Sequence, residues 1–286
     1  MSFDRRYTLT LSCPDRIGIV AAVSTFLAQR KGWIVESSQH ADGESGTFFY
    51  RQEILASSME VTLDHFRAEF APIAQDYRMN WGITDNAVKK RVVILVSKLE
   101  HCLYDLLARW KSGELAIDIP CVISNHEEFR SLVEWHGIPF HHVPVTANSK
   151  REAYGEVARL FDDAKGDVMV LARYMQVLSP ELCARYSGRI INIHHSFLPA
   201  FVGGKPYHQA YTRGVKLIGA TCHYVTEDLD EGPIIDQDVI RIDHSDSVTD
   251  LVRYGKDVEK STLARGLRYH LENRVIVAGN KTIVFR

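Results

Sequence analysis

Two stretches of this chain carry apolar side chains at every position, Val92-Val93-Ile94-Leu95-Val96 and Val168-Met169-Val170-Leu171. A strand alternates its side chains between two faces, so a run with no polar face must be covered on both sides. Apolar strands separated by amphipathic stretches dictate a sheet with helices above and below it. Strands are predicted at 91–97, 119–124, 168–172 and 190–193, with helices near 102–111, 127–135, 150–164 and 180–186. This is a doubly wound, mostly parallel α/β pattern, whose ligands sit beyond the carboxyl ends of the strands. Further strands at 217–225 and 234–240, a long helix near 248–273 and a final β pair complete it.

The first part of the chain reads differently. Tyr7, Leu9 and Leu11 alternate with Thr8, Thr10 and Ser12, the mark of a half-buried strand. The turn Pro14-Asp15-Arg16-Ile17-Gly18 feeds a helix over 19–31, with Val20, Val23, Phe26 and Leu27 as its buried stripe and Gly32 placed to end it in the left-handed conformation. Strands at 33–40 and 47–55 are joined by Asp42-Gly43-Glu44-Ser45-Gly46. A helix carrying Leu63, Phe66, Phe70 and Ile73 and a strand at 77–84 follow. The order βαββαβ is a small ferredoxin-like α+β domain. The sequence therefore divides into a domain at 1–84, a polar linker at 85–90 and a second domain at 91–286.

Composition narrows the function classes. A net charge of −2 offers no electrostatic footprint for nucleic acid. No apolar run approaches the roughly 20 residues of a membrane helix, and Met1-Ser2-Phe3-Asp4-Arg5-Arg6 lacks the apolar core of a secretory signal. Five scattered cysteines with no C-x-x-C indicate reduced thiols and a cytoplasmic protein. The thirteen histidines include the adjacent pairs His141-His142 and His194-His195, but no H-E-x-x-H, so neither a metal nor a cofactor is expected.

The chemistry concentrates in Asn192-Ile193-His194, Leu198-Pro199 and Asp228-Leu229-Asp230-Glu231-Gly232-Pro233. An amide N–H can hold a developing oxyanion, an imidazole can shuttle a proton, and a carboxylate can orient both. Singly, Asn192 could cap a turn, His194 could be a satisfied core residue and Asp230 could shape a turn before Gly-Pro. Jointly, at this spacing, the three suit the handling of a small carbonyl.

These motifs, with Leu171-Ala172-Arg173-Tyr174-Met175-Gln176-Val177-Leu178-Ser179 and Lys205-Pro206-Tyr207-His208-Gln209-Ala210, resemble the formyltransferase fold that uses 10-formyltetrahydrofolate, over roughly residues 91–280. The N-terminal eighty residues resemble an ACT domain. The two together resemble the formyltetrahydrofolate deformylase family, which hydrolyses 10-formyltetrahydrofolate to tetrahydrofolate and formate for one-carbon and purine metabolism. The related transformylases carry a Gly/Ser-rich loop after the first strand to cradle an acceptor phosphate. Here that position reads Ser97-Lys98-Leu99-Glu100-His101-Cys102, without glycine and with a carboxylate at Glu100 that would repel a phosphate. Hydrolysis is therefore expected over formyl transfer to an amine acceptor, the alternative. A sensor that only binds folate or an amino acid would not need Asn192, His194 and Asp230 together.

The resemblance implies Asn192, His194 and Asp230 as catalytic residues. Met175, Gln176, Val177, Gly203 and Thr226 would contact the folate, and Asp15, Arg16 and Gly18 an effector, glycine with methionine opposing it. It also implies a homo-oligomer, dimer or tetramer. Which of His194 and Asp230 is the immediate base stays open.

Overall fold

The computed structural model describes residues 5–200 and 206–286. The chain folds into two compact units, one of Met1–Val88 with Glu272–Ala278 and Ile283–Arg286, the other of Lys89–Leu271 with Gly279–Thr282.

The first unit runs β1 (Arg6–Pro14), α1 (Ile19–Gln29), β2 (Ile34–Asp42), β3 (Thr47–Leu55), a single 3₁₀ turn, α2 (Leu63–Asp76) and β4 (Asn80–Asp85). Its antiparallel sheet has the order β2-β3-β1-β4, the βαββαβ arrangement expected. The alternation in β1 sets the core: Leu9 and Leu11 face Val23, Phe26 and Leu27 of α1 and Phe66 and Phe70 of α2. Phe26 meets the Phe66 and Phe70 rings edge-on, each at 5.1 Å. Two details differ from expectation. Val20 is 38% exposed, and Ile19 takes its place in the buried stripe. Lys31, not Gly32, adopts the left-handed conformation (φ 59°), and the Gly32 N–H closes the helix on Leu27 O at 2.9 Å.

The second unit continues with β5 (Lys90–Val96), α3 (His101–Lys111), β6 (Ile117–Asp118), β7 (Val122–Ser124), α4 (Arg130–Trp135), β8 (Phe140–His142), α5 (Lys150–Asp163), β9 (Val168–Leu171), α6 (Pro180–Arg185) and β10 (Ile190–His194). Then come α7 (Pro206–Arg213), β11 (Leu217–Tyr224), β12 (Ile234–Arg241) and α8 (Val248–Leu271). Of the strand expected at 119–124 only 122–124 forms, as β7 on the end of β5; Pro120, with no N–H for the ladder, separates it from β6 at 117–118, which pairs with the start of β5. The sheet order is β12-β11-β10-β9-β5-β7-β8, with β8, which carries His141-His142, at one edge. β5, β7, β8, β9 and β10 are parallel, whereas β11 and β12 pair antiparallel beyond β10, so the sheet is mixed. One face packs Val93, Leu95, Ile123 and Met169 against α5 and α6. On the other, α8 lies on β10, β11 and β12 with α3 beside it. The chain closes with a hairpin of β13 (Val275–Ala278) and β14 (Lys281–Val284).

Residues 272–278 and 283–286, read from sequence with the second domain, group with the first. Asn273 Nδ2 donates to Thr84 Oγ1 at 2.9 Å, and Arg51 reaches both Asn273 O and Glu272 O at 3.1 Å. Arg51 is 1% exposed and also pairs with Glu53 and, at 3.2 Å, with Glu36. Removing a buried charge strands its partners, typically at about 3–5 kcal/mol. Arg51→Met should lose stability on that scale in urea denaturation, and a loss below about 1 kcal/mol would show the ion cluster to be dispensable.

Candidate active site

β5 has β7 on one side and β9 on the other, so the strand order reverses beside β9. In such sheets the ligand crevice opens beyond the carboxyl ends of the strands at that reversal. A cleft of about 290 Å³ lies there, lined by the 171–178 segment after β9, residues 192–195 of β10, His223 of β11 and the 225–230 turn.

Asn192 and His194, two apart on one strand, share a face. His194 is 5% exposed. Its Nδ1 lies 3.1 Å from Asp230 Oδ2, so in the neutral ring the proton sits on Nδ1 and is donated to the carboxylate. Nε2 is left as a buried acceptor with no partner among the described residues. A buried polar atom without a partner costs about 1–3 kcal/mol, and one that lines a cleft marks the place where a ligand atom goes. Burial alone would raise the Asp230 carboxyl, but the hydrogen bond from His194, with His223 close by, outweighs it and holds the group well below the usual carboxylate range.

His223 is the residue that sequence reading missed. It stands opposite Asn192 in the antiparallel β10–β11 pair. Its Nδ1–H donates to Tyr224 O at 2.9 Å, leaving Nε2 to accept from the Asn192 amide at 3.2 Å. Nε2 also lies 3.6 Å from Asp230 Oδ1. The register of β11 against β12 shifts between Cys222 and His223, and such bulges re-aim side chains. Asn192 is thus braced by an imidazole that also stands beside Asp230. A lone histidine in an apolar strand reads as core, and only the cross-strand register reveals the role.

The turn that delivers Asp230 is over-determined. Asp230 sits at φ 58°, a region asparagine and aspartate tolerate better than most residues. A Cβ on Gly232 would stand 1.8 Å from Tyr224 O, so no other residue fits without moving β11. Beyond His194 the chain is tied back to β11 and β12: Thr221 Oγ1 donates to Ser196 O and accepts from Leu198 N, while Gln237 donates to Leu198 O.

The other expected residues fall in two places. Met175 and Val177, each 52% exposed, line the cleft with Gln176 and Thr226. The Met175 N–H donates to Ser97 Oγ at 2.9 Å, and Ser97 in turn donates to Asn125, so the loop after β5 fixes the wall opposite. Gly203 and Lys205 lie outside the described residues. Glu100 is paired with Lys256 at 2.8 Å and held below its ordinary value by that lysine, so it remains ionised. In the first unit, Gly18 adopts φ 97° ahead of α1 and its missing Cβ leaves room for the Tyr77 hydroxyl. Arg16 lies over the Tyr77 ring at 3.8 Å and pairs with Asp76, while the Asp15 N–H donates to Gly46 O. Among the described residues, His101, Cys102 and Glu259 form the one cluster with metal-ligand spacing, separate from His194 and Asp230.

Gly232→Ala should destabilise the protein by about 1–3 kcal/mol, the scale of an overpacked interior. Thermal unfolding measures this, and an unchanged midpoint would mean that the turn can shift freely.

Comparison with known proteins identifies the family. Residues 90–267 match the formyl transferase domain family. A formyltetrahydrofolate deformylase of Corynebacterium sp. is 48% identical over 286 residues, 100% of both chains. One from Bacillus subtilis is 50% identical over 97% of this chain and 93% of its own. The crystal structure of a formyltetrahydrofolate deformylase from Pseudomonas syringae pv. tomato superposes with a TM-score of 0.97 at 61% identity, covering 99% of this chain and 95% of that one. A cleft of this construction, with relatives of this identity along the whole chain, makes the protein a member of the formyltetrahydrofolate deformylase family.

Proposed function

We propose that the chain hydrolyses 10-formyltetrahydrofolate to tetrahydrofolate and formate, with His194 as the proton-handling group, Asn192 as oxyanion donor and Asp230 as the orienting carboxylate. The observation that carries this reading is the buried, unpartnered Nε2 of His194, whose other ring nitrogen is held by Asp230. Both Asp230 oxygens lie toward imidazoles, so the ring and not the carboxylate meets the reacting atoms. Water adds to the formyl carbon and passes a proton to Nε2. The carbonyl oxygen takes up negative charge against the Asn192 amide. The proton then goes to the folate nitrogen as the C–N bond breaks, and formic acid leaves and gives up its remaining acidic proton to solvent as formate. None of these steps draws on a metal or a cofactor.

Water rather than an amine is the nucleophile on this reading. The loop after β5 presents a Ser97 hydroxyl already engaged by Met175 N–H and Asn125, and an ionised Glu100, rather than a glycine-rich phosphate cradle. The cleft segment 175–177 and Thr226 would hold the folate. The five cysteines are free and buried, and among the described residues no helix is long and apolar enough to cross a membrane, which supports a cytoplasmic site of action.

Asn192→Ala, His194→Ala and Asp230→Asn should each lower kcat by about 10²–10³, the usual loss for one such group, with KM for the folate nearly unchanged. The assay is formate release with and without added amines and chelator. A His194→Ala enzyme retaining more than about a tenth of kcat would remove the assigned role, and formyl transfer to an added amine in preference to water would favour the transferase reading.

For residues 1–84 we propose a regulatory ACT domain that binds glycine, with methionine as the opposing effector, and that joins subunits into a dimer or tetramer. Support comes from the βαββαβ order and from the turn before α1, where Gly18 at positive φ follows Asp15 and Arg16. Coupling of this kind changes affinity by about 5–150-fold. Glycine titrated against formate release should shift the apparent KM or kcat, and Gly18→Val should abolish the shift. If calorimetry at millimolar glycine and methionine shows no binding, the unit is a scaffold.

A further inference from the structure

Behind the cleft, where α3 and α8 cover the sheet, lies a second set of charged groups that the hydrolytic steps leave unused. Glu259 of α8 is 1% exposed. Its Oε2 lies 2.8 Å from His101 Nε2 of α3 and 3.3 Å from Arg173 Nε, and its Oε1 accepts from the Tyr207 hydroxyl of α7 at 2.5 Å. Arg173 follows β9, is 6% exposed and lines the cleft. The Tyr207 ring centroid is 6.2 Å from that of His195, which is 5.1 Å from that of His194. One carboxylate therefore connects to the cleft along two routes, through a guanidinium and through a tyrosine.

This arrangement is costly. A buried carboxylate forfeits several kcal/mol of hydration, and Arg173 is held at φ 62°, which costs a non-glycine residue about 1–2 kcal/mol. Cys102 Sγ lies within 4.8 Å of the His101 and Glu259 ligand atoms, a spacing that could admit a soft cation. The carboxylate already serves three protein partners, however. Burial, reinforced by Glu259, also raises the Cys102 thiol well above its ordinary value, so it stays protonated and a poor ligand. The guanidinium has the opposite effect on the cleft: burial and then Arg173 push His195 down to about 3, and Glu259 opposes that push.

We propose that Glu259 is a positioning residue for the hydrolysis: with Tyr207 and Arg173 it fixes the floor beneath His194 and His195 and balances a guanidinium charge at the cleft. The proposal rests on the hydrolytic reading above. The charged and titratable groups around this floor are His101 and Cys102 of α3, Arg173 after β9, His194 and His195 at the end of β10, Tyr207 of α7, Glu259 of α8, and Asp230 with His223 beyond His194. Asp105 and Lys260 act on Cys102 from further out.

Glu259→Gln keeps the shape and removes the charge. Arg173, no longer balanced, then disfavours any nearby imidazolium, so the imidazole limb of the kcat–pH profile should move to lower pH by about half a unit or more. kcat should fall at least about tenfold with KM for 10-formyltetrahydrofolate within about twofold of wild type. Arg173→Met leaves the carboxylate unbalanced and should move the same limb to higher pH. A merely structural Glu259 would lower the melting temperature but leave the limb in place, and that result overturns the proposal, as does a wild-type kcat. If Glu259→Gln does not fold, Tyr207→Phe carries the test: it removes one hydroxyl and no charge, kcat should fall at least about threefold, and a wild-type kcat overturns the proposal. Wild-type enzyme that releases no formate would instead overturn the hydrolytic reading itself.

Discussion

The site depends on the two-sided pairing of β10. This strand runs parallel to β9 and antiparallel to β11, with Asn192 set against Leu171 on one side and His223 on the other. The parallel neighbour brings the cleft wall at 171–178 to the same end of the sheet. The antiparallel neighbour brings back a turn that a parallel crossover could not place so close, and with it Asp230. A purely parallel sheet would supply Asn192 and His194 but leave the carboxylate to a distant loop. Gly232 enforces the arrangement, because its turn passes so near Tyr224 O that only a hydrogen can occupy the Cβ position.

Charge balance is the second governing term. Two carboxylates, Glu259 buried and Asp230 partly so, flank His194 and His195, and each is held ionised by partners that outweigh its burial. Asp230 relies on two imidazoles; Glu259 relies on an imidazole, a guanidinium and a phenol. Such pairs seldom add stability over well-packed apolar side chains. Their value here lies in fixing directions and potentials at the end of β10, where a formyl group would change from neutral amide to charged intermediate.

Much of this was legible in the chain. Local patterns identify the βαββαβ unit, the apolar parallel strands and the long final helix, because periodicity reports which face is buried. Asn192, His194 and Asp230 stand out by their spacing. What the sequence could not show are relations between residues far apart. His223 acquires meaning only through its register with Asn192. Glu259, at one position of a long amphipathic helix, reads as solvated until α8 is laid against the sheet. The break at Pro120 is visible in retrospect as a missing ladder donor. Residues 272–286 looked like the end of the second domain, since nothing local announces that Arg51 waits for the carbonyls of Glu272 and Asn273.

That last feature bears on how the molecule is made. Chains emerge from the ribosome in order, and an N-terminal domain ordinarily folds while later ones are still being synthesised. Here the first unit includes Glu272–Ala278 and Ile283–Arg286, so its later stretches are translated only after Lys89–Leu271 of the second. Until then Arg51, buried in the finished protein, lacks two of its acceptors, and Thr84 lacks Asn273. The order of completion is thereby reversed: the unit begun first reaches its final form only after residues 89–271 of the other have been made.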